Sequence, residues 1–235
     1  MHRFGPAHLT LLATVALGSA AAAAFGRRLR GRADASPFTR SLAYVIVGAM
    51  IADPIVRRAY GELTLARALP LQLCDAAAAI CAAALWTRRQ LPFELAYFWG
   101  LAGVTQAMLT PPGSLPGADD PDTWRYFVVH GAAIAGVFHL LGMGFRPRRG
   151  AWRRATLLTM TYAAAVGAID AALGANYMWL REKPEGSVLD LFGPWPWYIL
   201  GGTAVGAALF YVLELSSGVG GGAGEGGGAA APGAP

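Results

Sequence analysis

Cysteine and charge are both scarce in this chain. Only two of its 235 residues are cysteines, Cys74 and Cys81, and 14% are charged. On one helix these two cysteines would be separated by about 10 Å of rise, too far for a disulfide. The sequence also has no phosphate-binding glycine loop and no metal-ligand spacing, because His130 and His139 lie nine residues apart. We therefore expect no disulfide, no cofactor and no metal.

Long apolar runs are what the chain has instead, and 55% of its residues are hydrophobic. A spanning helix needs about 17 to 25 mostly apolar residues, and continuous Ala, Leu and Gly runs favour helices over alternating membrane strands. We predict an all-α, multi-pass membrane bundle of about seven transmembrane helices over residues 1–215. A flexible Gly/Ala-rich tail follows over 216–235. The predicted spans are 8–25, 38–56, 69–86, 93–109, 126–145, 155–175 and 195–213.

Basic residues predict the orientation of the bundle. With the N-terminus outside, 12 of the 19 Lys and Arg residues fall in inner loops, where cytoplasmic loops carry their excess. The C-terminus is then cytoplasmic, and the positive charge faces an anionic inner leaflet, so nucleic-acid binding is not expected. The apolar run after Arg3 resembles a secretory signal, but the basic cluster at 27–32 favours a retained first helix.

Polar side chains within the apolar segments are functional candidates, because they are costly to keep at membrane depth. With alternating helix directions they all fall towards the outer end, and the inner halves are almost bare of such groups. We therefore expect a polar cavity that opens outward. The residues are His8, Asp53, Gln72, Cys74, Asp75, Gln106, His130, Asp170 and Asn176.

Cys74 and His130 are the predicted reactive pair. If Pro70 occupies the first turn of the third helix, Cys74 lies about one and a half turns deep, level with His130. A thiol and an imidazole at one depth are typical of a nucleophile and its general base. For either residue alone, packing or a hydrogen bond between helices is the plainer interpretation.

Supporting roles follow from the same pattern. Asp53 or Asp170 would orient the imidazole, although Asp53 also has nearby arginines with which to pair, and Pro54 is expected to end or kink its helix. Candidate oxyanion donors are Gln72, Gln106 and Asn176. Asp75 points about 100° away from Cys74 around the helix.

Two sequence blocks near the C-terminal end carry a family resemblance: Asn176-Tyr177-Met178-Trp179-Leu180 and Phe192-Gly193-Pro194-Trp195-Pro196-Trp197-Tyr198. With Leu69 to Cys74 and His130-Gly131, they resemble the bacterial YwaF-like integral membrane family, which is similar to the animal transmembrane protein 164 group. The resemblance covers about residues 5 to 214. It implies acyl transfer onto lysophospholipids through Cys74, with His130 as the candidate base, in a bacterial plasma membrane.

The candidate substrate contacts are His8, Gln72, Gln106, Asn176, Trp195, Trp197 and Tyr198, of which the last three also suit an interfacial aromatic belt. Three function classes stay open. The first is a Cys/His-dependent lipid acyltransferase or acyl hydrolase acting on a phospholipid or lysophospholipid. The second is a transporter or small-ligand receptor, although an odd number of spans fits a two-half transporter poorly. The third is a non-catalytic scaffold held by hydrogen bonds between helices.

Overall fold

The chain folds as a bundle of helices. The structure is a computed structural model that describes residues 2–32, 36–59, 69–111, 117, 119–184 and 186–218. Within these ranges it contains seven helices and no strand, which confirms the all-α prediction. They are α1 (Pro6–Leu29), α2 (Ser36–Ala59), α3 (Leu73–Thr87), α4 (Gln90–Leu109), α5 (Pro121–Gly142), α6 (Ala151–Leu173) and α7 (Trp197–Ser216). The predicted tail lies outside the described residues from position 219 onward.

Two parts of the chain form other kinds of helix: the middle of α4 and the connection between α6 and α7. The middle of α4, Trp99–Val104, is π-helical, between the α-helical stretches Gln90–Phe98 and Thr105–Leu109. Two short 3₁₀ turns, Tyr177–Trp179 and Val188–Phe192, lie between α6 and α7. Four helices, α1, α5, α6 and α7, are long and apolar enough to cross a bilayer, and shorter apolar stretches occupy α3 and the Pro37–Ala52 part of α2.

Contacts between helices show that successive helices alternate in direction. The N-terminal part of α1 meets that of α5, where the His8 and Phe127 rings lie 5.9 Å apart, and their C-terminal parts meet where His139 Nδ1 lies 3.2 Å from Ala22 O. Helix α3 is parallel to these, because Cys81 Sγ donates to Ala133 O at 3.3 Å and Leu85, one turn further along, lies beside Gly136. Helices α2, α4 and α6 run the other way, as pairs such as Thr39 with His139 require.

The alternating directions give the bundle two ends, each formed by the starts of some helices and the ends of the others. At one end α1, α3, α5 and α7 begin; we call it the Cys74 end. At the other end α2, α4 and α6 begin, and we call it the Glu94 end. Between them a core of small and aromatic side chains packs tightly, and α1 and α5 approach closest near the Glu94 end. A Cβ on Gly26 or Gly142 would collide there with the backbone of the opposing helix.

Proline positions correct two of the predicted boundaries. Pro54 lies inside α2, which continues to Ala59, so the helix does not end there, and a kink at Pro54 stays a prediction. Pro70 is not in the first turn of α3, because residues 69–72 are non-helical and the helix begins at Leu73. The second correction changes the depth of Cys74.

Candidate functional site

Cys74 is the second residue of α3, and the residues beside it explain why the helix begins there. Gln72 is the N-cap residue, and it forms a reciprocal capping box with Asp75, in which each side chain accepts a hydrogen bond from the backbone N–H of the other. The Gln72 N to Asp75 Oδ2 distance is 3.2 Å. The Cys74 thiol is half-buried and free. The predicted depth of one and a half turns is therefore wrong, because Cys74 lies in the first turn.

Three hydrogen bonds from distant parts of the chain fix the stretch that leads into α3. In each bond one residue contributes a side chain and the other a backbone group, so each bond fixes a backbone position. They join Leu69 N to Tyr177 Oη at 3.0 Å, Tyr162 Oη to Leu71 O at 3.1 Å, and Met178 N to Gln72 Oε1 at 2.9 Å. Cys74 is thus positioned by α6 and by the segment that follows it.

That segment has an unusual backbone conformation next to Asp170. Met178 and Trp179 have φ angles of +54° and +58°, in the left-handed region that non-glycine residues rarely adopt. Asp170 is fully buried, and its Oδ1 accepts a hydrogen bond from Tyr177 N at 2.9 Å. Its Oδ2 is buried without a partner among the described residues. Asp170 therefore serves the turn that reaches back to Gln72.

The remaining predicted residues of this segment separate into bonded and exposed ones. Asn176 accepts hydrogen bonds from the backbone N–H groups of Arg181 and Glu182 and closes its own loop. Tyr198 is buried, and its Oη donates to Trp179 O at 2.8 Å. Trp195 and Trp197 are both more than half exposed, as residues of an interfacial aromatic belt would be.

His130 lies on α5 with one ring nitrogen bonded and the other open. Its Nδ1 lies 2.7 Å from the carbonyl oxygen of Tyr126. Because a carbonyl can only accept, Nδ1 carries the proton and Nε2 carries the lone pair. No hydrogen bond from the described residues reaches Nε2. The imidazole also stacks on the Tyr126 ring, with 4.0 Å between centroids and 31° between planes.

Helix register relates His130 to Cys74. The bond from Cys81 to Ala133 aligns α3 with α5, and seven residues towards the helix starts bring Cys74 level with Tyr126. His130 then lies about 6 Å deeper, one helical turn beyond the thiol. Tyr126 is close enough to Cys74 for their side chains to interact electrostatically. Between the thiol and the imidazole themselves, both within the described chain, there is no hydrogen bond.

Other predicted residues are placed away from this pair. His8 is fully buried, with Phe4 N 3.0 Å from its Nδ1 and Met108 O 2.9 Å from its Nε2, so both ring nitrogens are used within the fold. Gln106 is exposed near the end of α4. The side chain of Asp53 lies outside the described residues. The carbonyl of Tyr126, rather than a carboxylate, holds the Nδ1 of His130.

Two cavities are apolar and lie elsewhere. A groove of about 600 Å³ runs between α1 and α5, lined by residues such as Leu11, Val15, Phe127 and Gly131. A smaller cleft of about 340 Å³ lies between α6 and α7. Neither of these two is lined by Cys74 or His130, so the predicted polar cavity has no counterpart in them.

Sequence reasoning missed two buried acids at the Glu94 end. Glu94 accepts five hydrogen bonds, from Gln90, from Arg154 and three times from Arg148, at 2.9 to 3.2 Å. Hydrogen bonding to this carboxylate raises the pKa of Arg148, which lies in the loop before α6. Glu214 accepts from Gly150 N at 2.8 Å and from Trp152 N at 2.9 Å. The Glu94 end, which the predicted orientation places inside, is therefore not almost bare of polar groups, contrary to the prediction.

The signal for these acids was present in the sequence. A glutamate inside an apolar segment needs a partner, and the arginine-rich stretch at 146–154 supplies one for Glu94. Across the described ranges, no group of three or more His, Cys, Asp or Glu side chains could hold a metal ion.

Comparisons with known proteins agree with the motifs. A search of curated proteins and a search of solved structures each found no match to this chain. A family model described as the TMEM164 family matches residues 3–214, which confirms the resemblance to the transmembrane protein 164 group. With the four long apolar helices, this match identifies a membrane protein. The chain belongs to the TMEM164 family.

Proposed function

We propose that this chain is a multi-pass membrane enzyme, an acyltransferase or acyl hydrolase, that moves a lipid acyl group through a thioester on Cys74. In this proposal the bundle crosses the plasma membrane of a bacterium seven times, with the N-terminus outside and the C-terminus in the cytoplasm. The alternating helix directions support seven crossings. The arginines at the Glu94 end support a cytoplasmic position for that end.

The open Nε2 of His130 is the observation that carries the proposal. The bond from Nδ1 to the Tyr126 carbonyl fixes the tautomer in which Nε2 is a base, which is the task of the acid in a catalytic triad. We therefore propose a Cys-His dyad without Asp53 or Asp170. Along the helix axes the two residues differ by about one turn, and in this proposal a single water relays the proton between the thiol and Nε2.

The reaction has two balanced steps. His130 takes the Cys74 proton, the thiolate attacks the ester carbonyl of a phospholipid, and the ester C–O bond breaks as the imidazolium returns its proton to the departing lysolipid oxygen. The hydroxyl of a lysophospholipid, or water, then gives its proton to His130 and attacks the thioester. The C–S bond breaks, and the thiolate recovers the proton.

Gln72 is the proposed oxyanion donor. Its Oε1 accepts from Met178 N, which orients the carboxamide, and no acceptor among the described residues takes its N–H groups. Because it lies two residues before Cys74, those N–H groups are near the atom where negative charge develops. Asn176 is less suited to this role, since its side chain already bonds its own loop.

Reconstituted protein with a phospholipid labelled in one acyl chain, and a lysophospholipid acceptor, tests the proposal. Cys74→Ala is expected to abolish acyl transfer and fatty-acid release, and His130→Ala to slow both by about 100-fold or more. Cys81→Ala is the matched control, because that thiol is buried and bonded to Ala133 O. Mass spectrometry should find the labelled acyl group on Cys74 as a hydroxylamine-sensitive adduct. Full turnover in Cys74→Ala would exclude the enzyme.

Asp170 supports a second candidate, a transporter or small-ligand receptor. Its buried Oδ2 has no partner among the described residues, and buried membrane carboxylates commonly carry protons or bind cationic solutes. Solute uptake by proteoliposomes that persists in Cys74→Ala and is lost in Asp170→Asn would favour this function over the thioester chemistry.

A further inference from the structure

The loop before α6 and the first turns of that helix contain five arginines, and they have different partners. Arg148 and Arg154 bond to Glu94, at 2.9 and 3.0 Å. Arg146 donates to the carbonyl oxygens of Leu141 and Phe145. Arg149 and Arg153 are exposed, and neither has an acidic partner in the described part of the chain. Arg146, Arg149 and Arg153 therefore have no carboxylate partner among the described residues, and of these three Arg153 is the one that lies over the Trp152 ring.

Arg153 stands beside an apolar cleft. The cleft between α6 and α7 has a volume of about 340 Å³ and is lined by Trp152, Ala207, Ala208 and Tyr211. The Arg153 guanidinium lies over the Trp152 ring, 5.3 Å from its centroid. The same ring meets Tyr211 edge-on, with 5.4 Å between centroids. The Trp152 ring therefore lies next to the Arg153 guanidinium and also lines the apolar cleft between α6 and α7.

Glu214, near the start of α6, is not an ion-pair partner of Arg153 among the described residues. Both of its carboxylate oxygens accept hydrogen bonds from the backbone N–H groups of Gly150 and Trp152. Ala207 and Ala208 leave space in the cleft because their side chains are single methyl groups. The opening has room for a hydrocarbon chain, and the group beside it attracts an anion.

We propose that this cleft binds an anionic phospholipid, with its headgroup phosphate at Arg153 and one acyl chain between α6 and α7. A soluble anion would use the guanidinium and leave the apolar cleft unfilled. A zwitterionic phospholipid carries a cationic group that Arg153 repels. The site lies at the Glu94 end, away from Cys74, and does not depend on the thioester chemistry.

Native mass spectrometry of the delipidated full chain tests the proposal by titration with dioleoylphosphatidylglycerol or dioleoylphosphatidylcholine. The first phosphatidylglycerol should bind more tightly than phosphatidylcholine. Arg153→Gln should weaken its binding about fivefold, the effect of one basic residue near an anionic headgroup, whereas Arg153→Lys should retain most of it. Arg28→Gln, which removes an exposed arginine at the same end from α1, is the charge-matched control.

The cleft is tested separately from the charge. Ala208→Phe fills the opening without changing any charge and should also weaken phosphatidylglycerol binding several-fold. Ala165→Phe makes the same change at an exposed position of α6 that lies about 220° around that helix from Trp152, and it should have no effect. Thermal unfolding of every variant establishes that it is folded.

Three results would overturn the proposal. Equal affinity for the two lipids would remove the role of the anionic headgroup. Equal losses in Arg153→Gln and Arg28→Gln, or unchanged binding in Ala208→Phe, would reduce the site to general surface charge. Displacement of bound phosphatidylglycerol by millimolar inorganic phosphate would assign the site to a simple anion.

Discussion

The Cys74 end and the Glu94 end of the bundle both contain buried polar groups, but they use them differently. At the Glu94 end, charged groups bond to one another and to backbone N–H groups, so the two buried acids have hydrogen-bond donors at both oxygens. At the Cys74 end, the side chains around the start of α3 bond to backbone groups: Gln72 and Tyr177 hold the start of α3, and Asp75 and Asp170 each accept from a backbone N–H. The Cys74 thiol and His130 Nε2, the proposed reactive atoms, form no hydrogen bond with the described residues.

A polar group with a free donor or acceptor is thus a better indication of a candidate site than polarity alone. A saturated carboxylate such as Glu94 cannot take part in chemistry without losing the bonds that keep it buried. An imidazole held at one nitrogen has the other available at no such cost. We therefore expect the Glu94 end to determine stability and the Cys74 end to determine reactivity.

The largest expected effect on stability comes from Glu94→Gln. The substitution keeps the shape of the side chain but removes the charge that bonds Arg148 and Arg154. Because these arginines are about half exposed, we expect the free energy of unfolding to fall by about 2 to 3 kcal/mol, below the loss for a fully buried pair. The midpoint of thermal unfolding in detergent measures it. Glu182→Gln, at an exposed acid, is the control. Equal midpoints for the two variants would contradict the role of the Glu94 end in stability.

A smaller effect is expected from Glu214→Gln. The amide keeps one acceptor oxygen and turns an N–H₂ group towards a backbone N–H at the start of α6. We expect a loss of about 1 to 2 kcal/mol, from one missing hydrogen bond and a weaker interaction with the helix dipole. Hydrogen exchange at Gly150 and Trp152 should accelerate.

Ser216→Ala changes a neighbouring exposed residue and is the control for Glu214→Gln. Faster exchange spread evenly over α6, rather than confined to its first turn, would contradict a local capping role.

The sequence was sufficient to predict the seven helices but not where each begins. Hydropathy identifies apolar runs, whereas helix starts depend on capping bonds that it does not register. The third helix shows the consequence: Pro70 was assigned to its first turn, but the capping box of Gln72 and Asp75 starts it at Leu73. That three-residue difference changed the depth of Cys74 relative to His130.

The sequence predicted part of the candidate site, the residue types, but not the hydrogen bonds that those residues form. Cys74 and His130 stood out because each is an unusual residue for an apolar helix. The tautomer of His130 could not be predicted, because it depends on the Tyr126 carbonyl one turn away. Glu94 was missed because its two arginine partners follow more than 50 residues later and reach it only when α6 and the loop before it pack against α4.

The smallest change in stability, and the clearest test of the Cys74 end, comes from Tyr177→Phe and Gln72→Ala. Tyr177→Phe removes the acceptor for Leu69 N, and Gln72→Ala removes the acceptor for Met178 N and for Asp75 N of the capping box; each should cost about 1 kcal/mol. If that energy opens the first turn of α3, alkylation of Cys74 by a maleimide should become about fivefold faster. Cys81, buried further along the same helix, should stay unreactive.

Tyr44→Phe removes the hydroxyl of an exposed tyrosine and is the control for these two variants. Because Tyr177 and Gln72 hold the same stretch, the double variant should show less than the sum of the two single effects. Because Gln72 also accepts from Asp75 N in the capping box, Tyr177→Phe is the variant that tests the 174–198 segment alone. Unchanged labelling in Tyr177→Phe, together with faster labelling in Gln72→Ala, would mean that the bond from Tyr177 does not hold the start of α3 and that the bonds of the Gln72 side chain do.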